Sequence, residues 1–224
     1  SPLTAGVHIM GGAPGTRDTE LLTPDKIIQK IDAIVLSGGS AFGLEAASGV
    51  SESLAKLGRG FPSGQMRIPI VPSAIIFDLN NGGEKNWKKN PYRKLGKQAL
   101  KNATSQFKLG SYGAGVGATT LNLKGGLGSA SVDLPGGVTV GALVAVNSVG
   151  STTLPDNKNF LAAPYELAGE FGNLQPLEKG LNSCVGWDKI KVFSKQATTI
   201  AVVATNANID KSQASRMAIE AHDG

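Results

Sequence analysis

The chain has 224 residues, 41% of them hydrophobic, which suffices for one sizeable core and fits a single domain over 1–224. With 17% charged residues and 30 glycines it is neither a disordered chain nor a coiled coil. One cysteine, Cys184, and two histidines, His8 and His222, exclude an intramolecular disulfide and argue against a Cys- or His-rich metal centre.

In chain order, Gly11 to Arg17 is a loop by composition. Thr23-Pro24-Asp25 has the form of an N-cap, a proline at N1 and an acid in the first turn, so a short helix is expected to about Lys30. Asp32 to Ser37 reads as a buried strand. It runs through Gly38-Gly39-Ser40-Ala41-Phe42-Gly43 into a helix with Leu44, Ala47, Leu54 and Leu57 inward. Position 42 is Phe42, so the glycine turn is not the Gly-x-Ser-x-Gly of a nucleophile elbow. It also lacks the endings of a phosphate loop or a dinucleotide fingerprint, and close helix-on-strand packing explains its glycines better.

Ile68 to Pro72 and Ala74 to Leu79 are extended, the first at an edge or bend because of its prolines. Asn80 to Gly83 is a turn, and Pro91 to Ala103 a helix with Leu95, Ala99 and Leu100 inward. Much of the net charge of +5 lies in Lys85 to Lys101, with Trp87 and Tyr92 interleaved. That pattern suits nucleic acid, but a solvated loop and outer helix face explain it better in a chain without other nucleic-acid motifs.

Gly113 to Thr120 and Lys124 to Ser131 read as strands with small side chains, packed close to another layer. Thr139 to Asn147 is the strongest buried strand; Asn147 at its end suits a turn, or donation to a developing oxyanion. Ser151 to Lys195 reads as a long surface excursion. Thr198 to Thr205 is a buried strand by its β-branched, apolar run, and on spacing alone Thr198 is simply a good strand former. Asp210 with Gln213 forms a capping box for a last helix with Ala214, Met217, Ala218 and Ala221 inward. No stretch approaches the ~18 apolar residues of a membrane span. Ser1 to Thr4 carries no signal pattern. The expected compartment is the cytoplasm, with the periplasm open.

Taken together and in order, Gly11 to Thr16, Asp32 to Val50, Gly113 to Thr119, Lys124 to Ser131, Leu143 to Gly150 and Thr198 to Gly224 resemble one family. It is the L-aminopeptidase/D-amidase-esterase family of N-terminal-nucleophile hydrolases, with β-peptidyl aminopeptidases and nylon-oligomer hydrolases; ornithine acetyltransferases share its fold. The resemblance implies a four-layer αββα sandwich and a precursor that cuts itself between Ala197 and Thr198. It makes Thr198 the nucleophile, activated by its own α-amine, and Asn147 the oxyanion donor. Phe77 stands where relatives often carry a substrate-binding Tyr, and Ile75 where the aminopeptidase branch carries a Glu for the substrate amine. A Lys of the nylon hydrolases falls at Asn122, which leaves Lys124 as the nearby candidate; Thr199 is a further substrate-binding candidate.

The implied activity is hydrolysis of amide bonds in short peptides or peptide-like oligomers by a homotetramer, with no cofactor, metal, nucleic acid or membrane involved. Two alternatives stay open. One is acyl transfer of the ornithine acetyltransferase kind. The other is a truncated, non-catalytic relative, since the family's strand before Ser1 and its nucleophile-orienting segment after Gly224 have no counterpart in the sequence.

Overall fold

The computed structural model describes residues 2–121, 123–154, 159–173 and 197–223. Its strands are β1 (Thr16–Arg17), β2 (Val35–Ser37), β3 (Phe61–Ser63), β4 (Met66–Ile68), β5 (Ser73–Ile75), β6 (Gly126–Leu134), β7 (Val138–Asn147) and β8 (Thr198–Thr205). Its α-helices are α1 (Glu45–Lys56), α2 (Tyr92–Lys101) and α3 (Lys211–Glu220). The α/β class expected from the sequence is what the chain adopts.

The first sheet has the order β1-β5-β2, with β2 parallel and β1 antiparallel to β5. The glycine turn after β2 sets the approach of the next element. Gly39 has φ of 84°, a left-handed value that glycine adopts without a Cβ penalty. A 3-10 turn over Ser40–Leu44 then opens into α1. Ala47, Val50 and Leu54 of α1 are buried with Val71, against Ala33, Val35 and Leu100. Leu57, expected inward, is 71% exposed, because the helix ends at Lys56 and the chain turns away. A second cluster joins Ala5, Leu22 and Ile31.

α2 packs on α1 through a glycine rather than through the expected leucine and alanine. Gly96 is buried while Leu95 and Ala99 are exposed; only Leu100 turns to the core. The helices also meet through charge: Arg93 reaches Glu45 at 3.0 Å and Glu52 at 2.9 Å, and Lys97 reaches Glu52 at 2.6 Å. Part of the basic stretch thus neutralises α1.

The second sheet is the antiparallel meander β6-β7-β8. Side chains alternate across it. Ala142 and Val144 of β7, with Ala201 and Val203 of β8, face an apolar groove that α3 closes with Met217 and Ala221. Ala145 and Asn147 are buried on the opposite face, toward β5 and the loop around Gly113. The described order is therefore helices, sheet, sheet, helix, in keeping with the four-layer arrangement. β8 is half exposed rather than buried, because it lies at the edge of the described sheet.

Two further expectations fail for physical reasons. No helix follows Thr23-Pro24-Asp25; the only helical turn nearby is a 3-10 turn at Glu20–Leu22. Carbonyls of this segment converge on Lys211 instead of lining up along a helix axis. Its buried ammonium donates to Leu21 O (3.0 Å), Lys26 O (3.3 Å) and Ile28 O (2.9 Å). Likewise Gly113–Gly115 is a 3-10 turn, not a strand. A Cβ on Gly115 would overlap the backbone of Gly110, Gly126 and Leu127, so the loop is pressed on β6. The capping box holds on both sides: Gln213 N donates to Asp210 Oδ1 at 2.8 Å, and Asp210 N to Gln213 Oε1 at 2.9 Å.

Lys211→Met is expected to lower the unfolding free energy by about 2–4 kcal/mol, since three carbonyls lose a charged donor together. Urea titration measures this; an unchanged midpoint would mean that water replaces the ammonium fully. Asn122, Cys184 and much of the 151–195 excursion lie outside the described residues.

Candidate active site

Antiparallel pairing brings together two residues far apart in sequence. The last rung of β7 against β8 sets Asn147 opposite Thr198. Directly opposed residues share a face of the sheet, with Cβ atoms ~5 Å apart. Thr198 is half-buried at the start of β8, beside exposed Ala197.

Asn147 is 2% exposed and its amide is used at both ends. Oδ1 accepts from the Thr119 N–H at 2.9 Å, and Nδ2 donates to the Phe77 carbonyl at 3.0 Å. The side chain ties the end of β7 to the glycine-rich loop and to the segment leaving β5. Nδ2 carries two hydrogens, and one remains after the Phe77 bond.

The other predicted residues are placed as follows. Phe77 reaches Asn147 through its backbone carbonyl, with its side chain half-buried. Lys124 is exposed, and its backbone bridges to Thr119 just before β6, next to the N–H that Asn147 accepts. Thr199 pairs with Val146 and is exposed, so its side chain lies on the sheet face opposite Asn147 and Thr198. Ile75 is buried, with its side chain against Gly15.

Several residues join the site without having been singled out. Asn81 Nδ2 donates to Gly117 O at 2.7 Å and Thr119 Oγ1 at 3.1 Å, fixing the loop that holds Asn147. Asp78, next to Phe77, is buried, and its Oδ1 accepts the Gly39 N–H at 2.7 Å. The Tyr92 ring lies over Gly39. Burial first, and the Asp78 carboxylate second, hold the Tyr92 hydroxyl above its ordinary pKa. A sequence signal existed for Asp78: an acid placed at the end of an apolar run needs a buried partner.

His8 and His222 meet edge to face, ring centroids 4.8 Å apart, at the surface. Among the described residues no group of three His, Cys, Asp or Glu could hold a metal ion, and no helix is long and apolar enough to cross a membrane.

Residues 1–224 match peptidase family S58 from end to end. The chain belongs to peptidase family S58. Among curated S58-like relatives it is 40% identical over 226 residues to the uncharacterized aminopeptidase Rv1333 of Mycobacterium tuberculosis (strain ATCC 25618 / H37Rv), covering 100% of this chain and 64% of that protein. It is also 40% identical over 230 residues to the uncharacterized aminopeptidase ML1167 of Mycobacterium leprae (strain TN), covering 100% of this chain and 62% of the relative. The S58 chain thus spans less than two thirds of the length of these relatives.

Two solved structures share its fold at 21% identity. The PH0078 protein of Pyrococcus horikoshii OT3 superimposes with a TM-score of 0.65, over 99% of this chain and 55% of that one. A beta-aminopeptidase of Burkholderia sp. superimposes with a TM-score of 0.64, over 99% and 54% respectively.

Proposed function

We propose that this S58 chain is a self-processing amidohydrolase of the aminopeptidase kind, with Thr198 as nucleophile. The observation that carries the reading is the cross-strand pair Asn147–Thr198, which sets a buried amide donor beside a hydroxyl. The names of the relatives, all aminopeptidases, support the reaction class.

The chemistry runs in two stages. In processing, Thr198 Oγ attacks the Ala197 carbonyl, the acyl group passes from nitrogen to oxygen, and water hydrolyses the ester. Ala197 leaves as a carboxylate and Thr198 keeps a free α-amine. In turnover that amine, with an unperturbed pKa of ~8, takes the Oγ proton as Oγ attacks the substrate amide. The proton goes to the departing amine, and water then releases the acid from the ester on Thr198. Asn147 Nδ2 offers its second hydrogen to the oxyanion in both stages.

Phe77 and Lys124 line the approach on this reading, and short peptides or peptide-like amides are the substrates. Cut protomers are expected to assemble as a homotetramer in the cytoplasm, which native mass would test. No cofactor is called for.

Intact mass under denaturing conditions tests the proposal. Two fragments divided between Ala197 and Thr198 are expected, and a single uncut mass from Thr198→Ala. One uncut chain in the wild type under all conditions would sink the nucleophile assignment.

A further inference from the structure

Asn147 depends on two partners, the Thr119 N–H at 2.9 Å and the Phe77 carbonyl at 3.0 Å. One buried side chain, that of Asp78, braces both. The Phe77 carbonyl belongs to the peptide unit that joins Phe77 to Asp78. That unit lies past β5, which ends at Ile75, so its tilt is set outside the strand ladder. On one side of it Ile76 is held twice, donating to Ser37 O at 2.9 Å and accepting from the Ser40 N–H at 3.0 Å. On the other side Asp78 is anchored by its side chain, where Oδ1 accepts the Gly39 N–H at 2.7 Å. The Asp78 carbonyl accepts the Asn81 N–H at 3.2 Å.

The same side chain meets the loop that carries Thr119. A Cβ on Gly117, two residues before Thr119, would overlap Asp78, and so would a Cβ on Gly38. Two glycines remote in the chain therefore press their backbones on one carboxyl group, while the Tyr92 ring packs over Gly39. This accounts for the glycine turn after β2, which fits neither a nucleophile elbow nor a phosphate loop. Gly38 leaves room for the carboxyl group and Gly39 supplies its donor. Tilting the Phe77–Asp78 unit would swing the carbonyl away from Asn147 Nδ2. The second Nδ2 hydrogen would turn with the amide.

We propose that Asp78 is a positioning residue for the oxyanion site: by bracing the Phe77 carbonyl and the Gly117 loop, it aims the free Nδ2 hydrogen of Asn147. This deepens the amidohydrolase reading and rests on it, but one arm of its test needs no chemistry.

The rate of self-cleavage is followed by intact mass after cell-free synthesis, in protein shown to be folded. Asp78→Ala is expected to slow it about tenfold to a hundredfold, the scale of a small misplacement of a reacting group. Asp78→Asn keeps the shape and an acceptor for the Gly39 N–H, and should recover most of the rate. Asp78→Ala should add little to the loss in Asn147→Ala, because the one acts through the other. Wild-type cleavage in folded Asp78→Ala overturns the proposal, and so do losses that multiply in the double variant. An asparagine variant as slow as the alanine variant also overturns it, since charge and not position would then be at work. Gly38→Ala pushes the carboxyl group from its seat without removing it, and should slow cleavage as well; an unchanged rate there counts against the proposal even if Asp78→Ala does not fold. The arm without chemistry uses Thr198→Ala, in which hydrogen exchange at the Asn147 side-chain amide and the Thr119 N–H is read by NMR. Adding Asp78→Ala or Gly38→Ala should speed both about tenfold, and unchanged exchange overturns the proposal. A wild-type chain that never cuts refutes the nucleophile, and exchange then still decides whether Asp78 holds Asn147.

Discussion

Asn147→Ala is expected to lower kcat by about 10²–10³-fold in folded protein, the loss typical of a removed oxyanion donor. It is also expected to lower the unfolding free energy by about 2–4 kcal/mol. The second effect arises because the Thr119 N–H and the Phe77 carbonyl, at 2.9 and 3.0 Å, lose their partner in a site that is 2% exposed. The two effects must be separated, and Asn147→Asp does so. The carboxylate keeps an acceptor for Thr119 but has no hydrogen for an oxyanion or for Phe77. Its kcat should fall at least as far as that of the alanine variant. Self-cleavage should slow alongside, since on the proposed mechanism both stages pass through an oxyanion beside Thr198; a time course of intact mass after synthesis measures that rate. Wild-type turnover in folded Asn147→Asp would leave Asn147 as a tie between three segments and nothing more.

The elements of this site were legible in the sequence; its assembly was not. β7 and β8 announce themselves by β-branched apolar runs, and the Asp210–Gln213 box by local spacing, because each is a property of neighbouring residues. The register that sets Asn147 against Thr198 joins residues remote in the chain, and no local pattern fixes it. What suggested the pairing beforehand was resemblance to a family, not periodicity. The failures share one cause, tertiary contact overriding a local signal. Lys211 gathers the Leu21, Lys26 and Ile28 carbonyls around one ammonium, whereas those of a helix would lie parallel to its axis. Gly96, not Leu95, faces α1, because the neighbour there is a backbone and not a bed of side chains. Asp78 lies within a stretch legible only as extended, and its burial follows from the turn after β2, whose Gly39 N–H it accepts.

Gly96→Ala is expected to destabilise the helical layer. A Cβ there would overlap the Ala46 carbonyl on α1, and a Cβ on Gly49 would overlap the Arg93 carbonyl on α2. Each glycine therefore faces the partner helix's backbone, which cannot rotate aside as a side chain would. Overpacking of a core typically costs about 1–3 kcal/mol. The alanine returns about 1 kcal/mol of helix propensity. Because the obstacle is backbone, a net loss of about 2 kcal/mol is expected for either variant, read as a lower urea midpoint. The ion pairs of Arg93 and Lys97 with Glu45 and Glu52 are half exposed and too weak to hold the helices together against that strain. Once one methyl has pushed α2 away, the second meets less resistance, so the Gly49→Ala/Gly96→Ala double variant should lose less than the sum of the two. Strict additivity, or an unchanged midpoint in either single variant, would show that the helices are not held at backbone contact.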